Sequence, residues 1–122
     1  MHNFSIRTVG SGIKFDLKAP NGQVIACSQV YDTRTSCLRG IESVKKSAAA
    51  AKLEDQTTVA HTAVSNPKFE LYTDKSGRFR FRLKARNGQI IAVSEGYTTK
   101  AACENGIESV RRNACAAALA EE

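Results

Sequence analysis

No run of apolar residues in this chain is long enough to cross a bilayer. The longest, Ala114 to Ala120, has seven residues, where a spanning helix needs about 20. The opening residues, MHNFSIRTVG, lack the charged and then apolar pattern of a signal peptide. These two absences predict a soluble, cytoplasmic protein with no membrane partner. Histidine is also scarce: His2 lies in terminal sequence and His61 in a linker. Two isolated imidazoles make neither a metal site nor a catalytic triad. The four cysteines, Cys27, Cys37, Cys103 and Cys115, form no Cys-x-x-Cys pair, so metal and redox spacings are missing. No glycine-rich loop opens a helix, which removes the usual phosphate cradle. The sequence therefore predicts no catalytic residue, no metal, no cofactor and no enzyme.

What the chain does have is the same stretch twice. Asn21 to Val44 reads NGQVIACSQVYDTRTSCLRGIESV, and Asn87 to Val110 reads NGQIIAVSEGYTTKAACENGIESV. A shift of 66 residues lays Leu17–Ala50 on Leu83–Ala116 with 19 of 34 positions identical, which marks an internal duplication. Upstream, Phe4 answers Phe69 and Phe15 answers Phe81. The whole chain of 122 residues can build one core, whereas a half of about 60 residues is marginal alone. The net charge of +6 divides evenly between the halves. Such an excess favours acidic partners and solubility but does not dictate a fold.

The second copy is the clearer one. Phe69 to Thr73 alternates as a strand, Asp74-Lys-Ser-Gly77 is a turn, and Arg78 to Ala85 alternates strictly. Phe79, Phe81, Leu83 and Ala85 fall on one face of that strand; a period of two gives one buried and one wet face. Asn87-Gly88 between strands predicts a type I′ hairpin, followed by a strand over Gln89–Ser94. Thr98 or Thr99 then caps a helix to about Ala114, with Cys103, Ile107, Val110 and Ala114 as its apolar stripe. The first copy repeats the plan, with Cys37, Ile41, Val44 and Ala48 as the stripe. Cys37 and Cys103 are expected to be reduced and buried. Gly40 and Gly106, inside the helices, each cost about 1 kcal/mol relative to Ala, so both predict a close approach by a neighbour. Lys52 to Asp55 reads as a short fourth strand. Its counterpart Ala118 to Glu121 is alanine-rich and reads equally as a helix end. The boundaries are residues 3–55 for one repeat, 56–67 for a linker and 68–122 for the other, forming one compact domain. The twelve linker residues reach at most about 40 Å, enough to carry the chain across an eight-stranded sheet about 34 Å wide.

The run FELYTDKSGRFRFRLKARNGQIIAVSEGYTTKAACENGIESVRRNA resembles the repeat of the YegP-like proteins, small and mostly bacterial proteins of unknown function. Its most specific pieces are the Arg-x-Leu-Lys-Ala-x-Asn-Gly hairpin and the Asn-Gly-Ile-Glu-Ser-Val helix segment. The resemblance implies an α+β fold of two tandem β-β-β-α-β repeats about a pseudo-twofold axis. It implies a continuous antiparallel sheet, helices on one face, and last strands exchanged between repeats. The first copy departs from the pattern at Pro20, Asp16 and Leu38-Arg39. The resemblance transfers no activity and no catalytic residue. Physically, a three-stranded unit has open edges, and two such units satisfy each other as an isologous dimer does. The expected molecule is a monomer acting as an internal pseudo-dimer.

One feature points to a ligand class. Arg78, Arg80, Arg82, Lys84 and Arg86 recur at alternate positions, a basic stripe about 27 Å long that would neutralise several phosphates. Against nucleic acid, the aromatics of this strand face the core, and base stacking needs them outside. The competing reading is a solvated face whose arginine stems cover apolar surface and pair with acids across the strands. Ser28-x-x-Tyr31 and Ser94-x-x-Tyr97 precede the helices and read as structural turns, or as an anion site with Arg34 or Lys100. Glu42-Ser43 and Glu108-Ser109 point to different sides of their helices and read as buried or interfacial polar contacts. The expected function is a non-catalytic binding or interaction module with a protein or polyanionic partner. The alternative is nucleic-acid or polyanion binding through the basic strand.

Overall fold

The computed structural model describes residues 2–19, 21–58, 63–116 and 118–121. In chain order the elements are β1 (His2–Val9), β2 (Gly12–Lys18), β3 (Val24–Cys27), α1 (Arg34–Ala50) and β4 (Lys52–Asp55). They are followed by β5 (Lys68–Thr73), β6 (Phe79–Lys84), β7 (Ile90–Val93), α2 (Lys100–Ala116) and β8 (Ala118–Glu121). All eight strands form one sheet in the order β4-β5-β6-β7-β3-β2-β1-β8. The last strand of each copy therefore lies beside the first strand of the other. Lys52–Asp55 is a strand as expected, and Ala118–Glu121 takes the strand alternative rather than the helical one. The sheet is mixed rather than wholly antiparallel, because β4 runs parallel to β5 and β8 runs parallel to β1. Exchange enforces this. Each helix carries the chain over the sheet, and the strand after it enters beside the other copy in the same sense as that copy's first strand.

Two further expectations are corrected. The linker does not cross the sheet. Since β4 and β5 are neighbours, it only returns the chain to the start of β5, and α1 makes the crossing by packing on β2 and on β5, β6 and β7. Nor are the Asn-Gly turns type I′, for no non-glycine residue takes positive φ among the described residues. Gly88 N–H donates to Ala85 O at 2.8 Å and Ala85 N–H to Gln89 O at 2.9 Å. This is a three-residue connection with Gly88 alone at φ +86°, as in type I turns followed by a glycine bulge. Asn87 is used for its side chain instead: its Oδ1 accepts from Gln89 N–H at 3.0 Å. Asn21 does the same for Gln23 at 2.9 Å.

Alternation places Phe4, Ile6, Phe15, Leu17, Phe69, Leu71, Phe81 and Leu83 on the helix side, all buried. Burying each phenylalanine contributes roughly 2–3 kcal/mol. The two copies reproduce even the ring geometry. Phe4 meets Phe15 edge-on at 5.8 Å and Phe69 meets Phe81 edge-on at 6.0 Å. Both helical stripes are buried as expected, including free Cys37 and Cys103. Burial pushes the Cys103 thiol up to about 11, helped by Glu104. Thr33 and Thr99 are the caps, accepting from Ser36 and Ala102 N–H at 3.1 Å each.

The neighbour that requires glycine is a tyrosine. Backbone hydrogen bonds of 2.8 and 2.7 Å tie Tyr97 to Phe79. Its ring stacks on Phe81 at 6.4 Å, and its hydroxyl sits where a Cβ on Gly106 would go. Tyr31, Phe15 and Gly40 repeat the arrangement. The preceding serines are structural too. Ser94 Oγ accepts from Phe81 N–H at 2.9 Å and donates to Glu95 O at 2.8 Å. Ser28 does the same with Phe15 and Gln29. The Ser-x-x-Tyr segments thus fasten the strand-to-helix turn to the sheet.

Candidate functional site

The helices leave the other side of the sheet uncovered, and the basic strand faces that side. Arg80, Arg82 and Lys84 fall within β6 and share the face; Arg78 and Arg86 lie in the turns flanking it. Arg80 Nε donates to Asp74 Oδ2 at 2.6 Å, and Arg82 Nε to Glu70 Oε1 at 2.6 Å. Lys84 Nζ lies 3.3 Å from Glu70 Oε2. The middle three cations are thus paired with acids, and Arg82 also rests on the Tyr72 ring at 4.6 Å. Arg78 and Arg86 are exposed and have no carboxylate partner among the described residues. The Arg78 stem covers Gly96.

The pairing acids are held unusually firmly. Asp74 Oδ1 accepts from Ser76 N–H at 2.9 Å, Ser76 Oγ at 2.6 Å and Arg78 N–H at 3.0 Å. Together with Arg80, these donors hold its carboxyl well below the usual range. Glu70 is 3 % exposed and Glu54, beside it on β4, is 4 % exposed. Two adjacent carboxylates would repel each other, but Lys68 Nζ reaches Glu54 Oε1 at 2.8 Å and Glu70 Oε2 at 3.3 Å. Gln56 Nε2 bridges the same two groups at 2.5 and 3.0 Å. Burial pushes Glu70 up, but Arg82, Lys68 and Lys84 outweigh it and the net shift is downward.

Gln56, Lys68 and the Val64 N–H lower Glu54 to about 2. A carboxylate with a depressed folded pKa adds stability that is complete above its unfolded value and fades as pH falls toward the folded one. Stability is therefore expected to drop between about pH 5 and pH 2. Glu54→Gln should flatten that part of the profile in acid-unfolding measurements.

This cluster was not visible in the sequence, because it joins β4 of one copy to β5 and β6 of the other. Glu42 and Glu108 are exposed, at 64 % and 60 % of their side chains, pairing weakly with Lys45 and Arg111; of the buried or interfacial contact expected for the Glu-Ser pairs, the glutamates do not take the buried form. Lys100 is engaged by Asp55, so the helix-start anion site loses that cation. His61 lies outside the described residues. Among those residues no three His, Cys, Asp or Glu side chains gather as metal ligands, and no helix is long and apolar enough to cross a membrane.

Residues 12–55 and 74–121 each match the model of a domain of unknown function, DUF1508. The chain belongs to this family. Its YegP-like character extends to relatives of both sizes. YegP of Escherichia coli, a UPF0339 protein, is 36 % identical over 100 residues, spanning 82 % of this chain and 77 % of its own length. A UPF0339 protein of Treponema denticola is 65 % identical over 54 residues, 44 % of this chain but 93 % of its own length. The UPF0339 proteins thus include one about the size of a single repeat. The solution structure of E. coli YegP superposes with a TM-score of 0.78 at 31 % identity, covering 98 % of this chain and 90 % of that one. The Shewanella oneidensis UPF0339 protein gives 0.77 at 30 % identity, covering 97 % and 88 %. DUF1508 and UPF0339 both denote uncharacterised proteins.

Proposed function

We propose that this protein is a non-catalytic interaction module, a fused homodimer whose repeats are related by a pseudo-twofold axis and which meets its partner with the uncovered sheet face. The observation that carries this reading is the state of that face. Its ion pairs Arg7–Asp16, Arg80–Asp74, Arg82–Glu70 and Lys68–Glu54 are all short, at 2.6 to 2.8 Å. They fix long side chains in place before any partner arrives, which lowers the ordering cost of association. Cations outnumber acids on this face: Arg7, Lys14, Lys18, Lys52, Lys68, Arg80, Arg82 and Lys84 against Asp16, Glu54, Glu70 and, in the turn beside them, Asp74. An acidic protein surface suits that balance. The hydroxyls and thiols of the repeated segments support a non-catalytic reading, since Ser28 and Ser94 are buried and hydrogen-bonded and the Cys37 and Cys103 thiols are raised by burial.

A photo-crosslinking residue in place of Val93, at the centre of this face, is expected to capture a partner in cells. The same residue in place of the exposed Glu104 on α2 should capture none. Equal capture from both, or none from Val93, counts against the proposal.

The second reading is polyanion binding by the basic strand. Arg78 and Arg86 favour it, being exposed at either end of the stripe without acids. Labelled single-stranded RNA should then bind at low salt and be released as salt rises. Arg78→Gln with Arg86→Gln should weaken it. Absence of binding at low salt eliminates this reading.

A further inference from the structure

We infer that the groove between α1 and the β6–β7 hairpin is a binding site for a small phosphorylated ligand. The site is on the helix side, away from the sheet face proposed above; of the basic stripe only Arg86 lines it. Ser43, Lys46, Ser47 and Ala50 follow helical spacing along one side of α1. They look across a cavity of about 420 Å³ to Ala85, Arg86 and Asn87, with Pro67 at its border. That volume lies within the range of small-molecule sites. The walls come from different copies: α1 from the first, the hairpin from the second. The groove exists only because the repeats close on each other.

The lining chemistry selects an anion. Lys46 and Arg86 are both exposed, and neither has a carboxylate partner among the described residues. The Ser43 and Ser47 hydroxyls can donate. Asn87 Oδ1 is occupied by Gln89 N–H, which leaves the Asn87 amide NH₂ to face a ligand. Every polar side chain of the lining is thus a donor or carries one, and none is acidic. Glu42, next to Ser43 and one turn before Lys46, is not part of this lining and lies 3.8 Å from Lys45 Nζ. Arginine and lysine together suit a phosphate, one as a planar fork and the other as a point charge. Ala50, Ala85 and Pro67 offer apolar wall for a short carbon skeleton.

At the equivalent place of the other repeat the sequence differs. Arg112 replaces Lys46, but Pro20 stands where Arg86 does, and Asn113 replaces Ser47. The Asn113 amide donates to Ser109 O at 2.8 Å and to Ser109 Oγ at 3.0 Å. That serine hydroxyl is already used, whereas Ser43 faces the small Ser47 side chain one turn on. The two copies have diverged where a ligand would be held and stayed alike where the core is packed.

Amide spectra of the nitrogen-15-labelled full chain, titrated at low salt with inorganic phosphate and with glucose 6-phosphate, test this inference. Saturable shifts confined to the groove, centred on Ser43, Ser47 and Asn87, are expected, with glucose alone producing none. Lys46→Gln and Arg86→Gln should each weaken binding about tenfold, while Arg112→Gln leaves it unchanged. These side chains are exposed, so unaltered spectra of the free variants should show that the fold is kept. Overturning results would be no saturable shift, shifts spread over all cationic residues, or equal weakening by Arg112→Gln.

Discussion

Gly106→Ala is expected to destabilise the protein by about 2 kcal/mol, the usual scale of overpacking a filled core. At an ordinary helix position the same change stabilises by up to about 1 kcal/mol, so the sign itself is diagnostic. A Cβ at Gly106 would lie 2.5 Å from Tyr97 Oη, 2.9 Å from Tyr97 Cζ and 3.0 Å from Phe81 Cε2. The ring cannot swing away, because Tyr97 is tied to Phe79 through its backbone on one side and stacked on Phe81 on the other. Gly40→Ala meets Tyr31 and Phe15 in the same way and should cost a similar amount. The sites are in different copies, so the double variant should lose nearly the sum. Urea unfolding of the single and double variants gives these values directly. Adding Tyr97→Phe to Gly106→Ala removes the closest atom and should restore part of the loss. No recovery would mean that the ring carbons Tyr97 Cζ and Phe81 Cε2, rather than the hydroxyl, set the cost.

Glu70→Ala should cost more, about 3 kcal/mol. The carboxylate is the shared acceptor of Arg82, Lys68, Lys84 and Gln56. Removing it leaves three cations around an empty site. Arg82 and Lys84 keep 30 % and 25 % of their side chains exposed, so water offsets part of that repulsion. Glu70→Gln keeps the shape and one acceptor oxygen and should cost less. Added salt should recover some stability in Glu70→Ala by screening the cations. A loss near zero would mean that Glu54 alone holds the cluster.

The duplication and the period-two strands were legible because each is a local pattern, and the helix caps and apolar stripes followed from them. Gly40 and Gly106 announced a close neighbour without naming it. The tyrosine sits only nine residues before each glycine, but its ring reaches there through a turn that the sequence does not specify. The Asn-Gly pairs gave hairpins of the wrong type, since a loop one residue longer uses glycine at φ +86° and asparagine as a side-chain acceptor. The parallel pairings and the Glu54–Lys68–Glu70 cluster depend on which copy each last strand joins. That choice is made by contacts between segments far apart in the chain. For the same reason the basic stripe could be read but its partners could not: Glu70 and Asp74 come to it from the neighbouring strand and turn.

Cutting the linker of the folded protein tests most directly whether each repeat is completed by the other. A protease site is placed within residues 59–62, and the cleaved sample is run by size-exclusion chromatography at micromolar concentration. The expected result is one species holding both fragments, with an unfolding midpoint that rises with concentration and a loss of structure when the fragments are separated. Two fragments that part without denaturant, each folded as a monomer, would contradict it.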